Sequence, residues 1–308
     1  MIVNQMKRTG SECVSVTLQE LLQLSRSAKQ LSLTSLPKKS VQSGQNMSRL
    51  FGRGMEFAES RRYHVGDDIR NIDWRITART GKAHTKLFTV DKERQFLLCV
   101  DLQSNMHFAT RGVFKSVQAV LMSCLLAWNA VQGGNRVGGI VFNHEFLHEF
   151  RPASGKKGIL PFLQCLADVH LISKTKNDNK NPSLELAIAN IERVVSPGSF
   201  IFVISDFRQM TSKVKDSLLK LSKQNDLCLC FVYDQFEMEM PKQGCLPLTS
   251  NQGDIRLNTL DSKGTKEYQT QFEHRKAAVK SLADHRNIYF IECSTEEDYF
   301  SVLKKHFS

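Results

Sequence analysis

From His84 onward the chain alternates short, almost unbroken apolar runs with longer helical stretches, and this alternation constrains its fold more than any other feature. The runs are "FLLCV" (Phe96–Val100), "RVGGIVF" (Arg136–Phe142), "SFIFVIS" (Ser199–Ser205), "LCLCFVY" (Leu227–Tyr233) and "NIYFIE" (Asn287–Glu292). Runs without a polar alternate position suit strands buried on both faces, the condition of a parallel sheet. Helical stretches separate them: Val113–Gln132, ended by Gly133-Gly134, then Pro182–Val195, Thr211–Gln224, Tyr268–His285 and Thr295–His306. The expected class is α/β, with a doubly wound, mainly parallel sheet.

The N-terminal part differs. Thr17–Leu31 carries a helical rhythm at Leu18, Leu21, Leu22 and Leu24, and Thr17 with Glu20 fits a capping box. A polar linker from Pro37 to Ser48 follows. The chain therefore divides into an N-terminal helix and linker (1–47), a basic segment (48–92) and an α/β domain (93–308), with a hairpin insertion near 244–263 around "NQGD".

With 41% hydrophobic residues among 308, the chain can bury a core. No apolar run approaches the roughly 20 residues that cross a bilayer, and the first ten residues lack a signal-type apolar region. Eight cysteines without a C-x-x-C pair read as reduced thiols, with Cys99, Cys124, Cys228 and Cys230 as small core residues. The expectation is a soluble, cytoplasmic protein. The net charge of +11 is uneven: up to Gln95 there are 17 Lys+Arg against 9 Asp+Glu. Interleaved acids break up that basic region, which favours a protein partner over nucleic acid, and no aromatic stacking platform is evident.

Two motifs suggest enzymes. His144 to His148 reads "HEFLH", the H-E-x-x-H of zinc proteases when it lies on a helix. Here Phe146, His148 and Phe150 alternate with Glu145, Leu147 and Glu149, which is strand periodicity. An extended chain puts His144 and His148 about 13 Å apart, too far to share zinc. Glu145–Phe150 is read instead as an antiparallel edge strand beside Arg136–Phe142. "RTGKAHT" lacks the upstream glycine and the hydroxyl of a phosphate loop. The remaining signal is at strand ends, where open α/β sheets collect ligands. Asp101, Asp206 and Asp234 each close an apolar run.

Around "DLQSN" and "VISDF" the chain resembles a von Willebrand factor A-type domain. Such domains hold a divalent cation with D-x-S-x-S after the first strand, a hydroxyl on a later loop and an aspartate at a later strand end. The resemblance implies Asp101, Ser183 and Asp206 as ligands of a weakly bound magnesium, manganese or calcium ion. Gln103 and Asn105 stand in place of both serines. Their amide oxygens can ligate; their NH2 groups can instead hydrogen-bond Asp101 and Asp206 directly and replace the cation.

The window Gly54 to Phe88, "GMEFAESRRYHVGDDIRNIDWRITARTGKAHTKLF", is dense in opposite charges. Arg61, Arg62, Asp67, Asp68, Arg70, Asp73, Arg75 and Arg79 are expected to form an internal ion-pair network, with Ile69, Ile72 and Trp74 as apolar anchors. This window closely resembles the signature of the domain of unknown function 58 family. That resemblance implies a von Willebrand A-like, Rossmann-type domain behind the signature segment, and a non-enzymatic adaptor working with a MoxR-type AAA+ ATPase on a client protein. The partner-binding candidates are Arg61, Arg62, Asp67, Asp68, Arg70, Asp73, Trp74 and Arg79. The alternative is a metal-dependent hydrolase, with a divalent metal at Asp101 and Asp206 or zinc at His144 and His148.

Overall fold

The computed structural model describes residues 10–31, 55–64, 66–90, 93–168, 182–239, 244–250, 253–258, 262–285 and 287–307. The chain divides into two compact units, one of residues 42–93 and one of residues 1–41 with 94–308. The linker expected over 37–48 lies outside the described residues. Among the described residues no helix is long and apolar enough to cross a membrane.

Helix α1 (Leu18–Ala28) starts as its sequence suggests. The Thr17 N–H donates to Glu20 (2.8 Å), and the Thr17 hydroxyl accepts from the Glu20 N–H.

In the smaller unit, β1 (Met55–Arg62) and β2 (His84–Val90) form an antiparallel ribbon, with α2 (Trp74–Thr80) on the connection between them. Here the expected ion-pair network is not what forms. Among the described residues of this window only Arg61 and Asp67 pair, at 2.8 Å. The other two aspartates of the expected network cap backbone. Asp68 accepts from the Arg70 N–H, while Asp73 accepts from the N–H groups of Arg75 and Ile76 and from the Ser60 hydroxyl. Free N–H groups at helix starts compete well for short carboxylates. Ile69 and Trp74 are 65% and 69% exposed, so they are not buried anchors; a two-stranded ribbon with one short helix offers little surface to cover them.

The larger unit is built on a six-stranded sheet. Its strands are β3 (Gln95–Asp101), β4 (Arg136–Phe142), β5 (Leu147–Ser154), β6 (Phe200–Ser205), β7 (Asp226–Tyr233) and β10 (Ile288–Ser294), arranged β10-β7-β6-β3-β4-β5. All neighbours are parallel except β5, which runs antiparallel to β4 at the edge. Successive residues point to opposite faces. Phe96, Leu98 and Val100 of β3 join one core with Phe202 and Cys230, while Leu97 and Cys99 join the other with Val203 and Leu229. The first core is covered by α1, α3 (Lys115–Gln132), α4 (Gly155–Asp168) and α9 (Tyr299–His306). The second is covered by α5 (Leu184–Val194), α6 (Ser212–Ser222) and α8 (Ser262–Leu282). A short α7 (Gln235–Met238) follows β7, and β8 (Cys245–Ser250) pairs antiparallel with β9 (Gly253–Asn258).

Several boundaries differ from expectation for local reasons. Pro182 precedes its helix instead of opening it, because Ser183 takes the N-cap and accepts from the Leu186 N–H. The last helix begins at Tyr299 behind the Asp298 cap. Helix α4, which contains Pro161, was not among the expected helices. The edge strand expected over Glu145–Phe150 runs over Leu147–Ser154 instead, and Pro152 is accommodated at its register shift, where a missing N–H is tolerated.

Helix α1 packs on α3 and belongs to this unit. Leu21 is fully buried, and its carbonyl accepts from the Trp128 indole N–H at 2.9 Å. Leu21→Ala is therefore expected to destabilise the larger unit by about 2–5 kcal/mol in urea unfolding followed by Trp128 fluorescence. An unchanged midpoint would mean that α1 is not part of this core.

Candidate functional site

Strand β4 lies on one side of β3 and β6 on the other, so the chain reverses its direction of winding between β3 and β6. The carboxyl ends of those two strands are where an open sheet offers a crevice. Asp101 and Asp206 sit there, 3% and 0% exposed.

Asp206 is saturated with donors. The Asn105 amide reaches both of its oxygens, at 2.8 and 2.9 Å. The Lys115 ammonium donates to Oδ2 at 2.9 Å, the Arg208 N–H to Oδ1 at 3.1 Å, and the Arg208 guanidinium lies 3.2 Å from Oδ2. Lys115 is fully buried and also donates to Oε1 of Glu237 at 2.9 Å. Glu237, likewise fully buried, pairs with Arg208 and lies 3.5 Å from Arg275. Burial alone would push the Asp206 carboxyl up, but Lys115, Asn105 and Arg208 outweigh it and hold the group below its ordinary range.

Asp101 is in a different state. It accepts from the Gln103 N–H at 3.0 Å and from the Ser205 hydroxyl at 2.6 Å. Burial, with the nearby Asp206 charge, pushes its carboxyl up to about 7 against those hydrogen bonds. The Ser205 oxygen in turn accepts from the Phe207 N–H at 2.9 Å. Phe207 has φ 52°, an uncommon conformation for a bulky residue, and its ring stacks on Phe231 at 6.1 Å between centroids.

The loop from β3 to α3 is tied down further along. Asp234, also fully buried, accepts from the Thr110 N–H and hydroxyl at 2.9 and 2.7 Å and from the Thr295 hydroxyl at 2.7 Å. Gly112, at φ 75°, passes so close to the Thr295 carbonyl that a Cβ would lie 2.0 Å from its oxygen. Three residues later the chain delivers Lys115 into the core as the first residue of α3.

Of the expected ligand set, the fold brings the loop bearing Gln103 to the segment before α5, through Gln103 Nε2 and the Pro182 carbonyl at 3.0 Å. Ser183 spends its hydroxyl on capping α5. His144 and His148 do not share a helix: His148 lies in β5 opposite Val141, and its ring packs on Phe146 at 4.6 Å. Among the described residues, no three His, Cys, Asp or Glu side chains are grouped to hold a metal ion. In the smaller unit, Arg62, Arg70, Trp74 and Arg79 are exposed, while Asp67, Asp68 and Asp73 face their own backbone. Sequence reasoning missed Lys115, Arg208 and Glu237. A lone lysine opening the apolar stretch "FKSVQAVLMSCLLAW" was the available signal.

A family model described as "Protein of unknown function DUF58" matches residues 59–278, well over half of the chain. The chain belongs to the DUF58 family. Uncharacterized proteins of Mycobacterium bovis and Mycobacterium tuberculosis are 25% identical to this DUF58 chain over 244 residues, 79% of this chain and 72% of each relative. Among solved structures, BatB from Bacteroides thetaiotaomicron, a conserved hypothetical protein, is 16% identical and is covered completely by 62% of this chain, with a TM-score of 0.37. A mutant of the PilB minor pilin from Streptococcus sanguinis is 8% identical, with 74% of this chain against 64% of that one and a TM-score of 0.36.

The state of Asp101 has a pH signature. Its carboxyl titrates at about 7 in the folded protein and at 3.8 ordinarily. Between those values the folded state keeps a proton that the unfolded state releases, so this group's contribution to stability falls as pH rises. Relative to wild type, Asp101→Asn is therefore expected to be more favourable at pH 8 than at pH 5 by on the order of 2–4 kcal/mol. Urea unfolding of both proteins at the two pH values measures the difference, and equal differences would refute it.

Proposed function

We propose that this DUF58 protein is a non-enzymatic adaptor or assembly factor that engages a client protein, while a MoxR-type AAA+ ATPase supplies the ATP-driven work of maturation. The observation that supports it most is the state of the strand-end acids. A carboxylate that activates water or holds a reactive metal needs free lone pairs. Those of Asp206 are taken by Asn105, Lys115 and Arg208.

The smaller unit supplies a docking surface on this reading. Trp74 and Ile69 stand out from it at 69% and 65% exposure, with exposed Arg70, Arg75 and Arg79 nearby in sequence. Aromatic and arginine side chains together are the usual anchors of protein interfaces, and the partner surface they suit is acidic with an apolar pocket. Among the described residues, Asp68 and Asp73 engage backbone N–H groups and form no ion pair with these arginines.

The test is capture of the nucleotide-bound ATPase by the full chain, compared with Trp74→Ala and with Arg70→Glu combined with Arg79→Glu. Each variant is expected to weaken capture by about tenfold or more while changing unfolding stability by no more than roughly 0.5 kcal/mol. Capture that is absent for wild type, or equal for all three proteins, would overturn the reading.

A further inference from the structure

We propose that the Lys115 ammonium is a built-in cation that closes the divalent-metal site at the ends of β3 and β6, so that the resting protein binds no metal there. The inference goes beyond the adaptor reading and does not depend on it; a failed capture experiment would leave it intact.

The donor chemistry carries it. A hard divalent cation needs carboxylate and hydroxyl oxygens with lone pairs turned toward it. The Asp206 carboxylate instead faces the nitrogen atoms of Asn105, Lys115 and Arg208. The Ser183 hydroxyl accepts from Leu186, and the Asp101 oxygens accept from Gln103 and Ser205. A cation beside Asp206 would also have to stand next to a fully buried ammonium 2.9 Å from its oxygen. The oxygen set implied by the von Willebrand A-type resemblance therefore does not fit a metal while Lys115 is in place.

The surroundings explain how the ammonium is held. Glu237 gives Lys115 a second carboxylate, and Arg208 and Arg275 extend the cluster around Asp206 and Glu237. The backbone fixes where Lys115 enters: its N–H donates to the Phe108 carbonyl at 3.2 Å, and the Val113 N–H to the Thr295 carbonyl at 3.1 Å. A side chain so placed does the work of a metal, neutralising converging carboxylates, without an exchangeable ion. Removing it takes away the fully buried cation that Asp206 and Glu237 share, which is destabilising unless another cation enters.

The experiment uses the full chain as wild type, Lys115→Met, and Lys115→Met with Asp206→Asn. Equilibrium dialysis against manganese and thermal unfolding in EDTA or manganese are the readouts. Wild type is expected to bind no manganese at this site and to melt identically in both solutions. Lys115→Met should melt lower in EDTA, by on the order of 10 °C, and recover in manganese with one ion bound. The double variant, which removes both charges, should fold in EDTA and ignore manganese. If Lys115→Met does not fold in EDTA, refolding it in manganese reads the same prediction. One manganese bound to wild type and lost in Asp101→Ala would overturn the proposal, as would a Lys115→Met protein that melts like wild type or, once folded, takes up no ion.

Discussion

The ammonium of Lys115, held at 2.9 Å from both Asp206 and Glu237, is the interaction on which the carboxyl end of the sheet depends. The parallel sheet leaves its strand ends on one edge, and the strands or their following turns place Asp101, Asp206, Asp234 and Glu237 there, all buried. Acids converging in a low-dielectric place must be ion-paired, hydrogen-bonded, protonated or metal-bound. Each is handled differently here. Asp206 and Glu237 share an ammonium, Asp234 is satisfied by Thr110, Thr295 and backbone, and Asp101 shifts toward its protonated form.

The same economy shapes the loop between β3 and α3. Thr110 is fixed by Asp234, Gly112 slips past the Thr295 carbonyl, and Lys115 follows into the core. The loop thus joins the ends of β3, β6, β7 and β10 through polar contacts, while Phe207 is held in a left-handed turn by Phe231 and Ser205.

How much of this was legible in the sequence follows from which forces act locally. Apolar runs such as "FLLCV" and "LCLCFVY" announce buried parallel strands, and the Thr17–Glu20 cap announces its helix, because both effects act within a few residues. The strand-end positions of Asp101 and Asp206 were legible for the same reason. Lys115 was not, because a lysine at a helix start looks like an ordinary exposed residue. Only the return of β6 beside β3, and of β7 beside β6, gives it two carboxylates from far along the chain. In the signature segment the residue types were read correctly but their partners were not. Asp68 and Asp73 choose the nearest free N–H groups over more distant guanidinium groups, leaving arginines and Trp74 exposed.

The most direct measurement is a crystal structure of the wild-type chain grown with manganese, with anomalous scattering recorded at the metal's absorption edge. The expected result is Lys115 Nζ hydrogen-bonded to both Asp206 and Glu237, with no anomalous peak between Asp101 and Asp206. A peak at that position, with Lys115 displaced from Asp206, would contradict the claim that the protein carries its own cation.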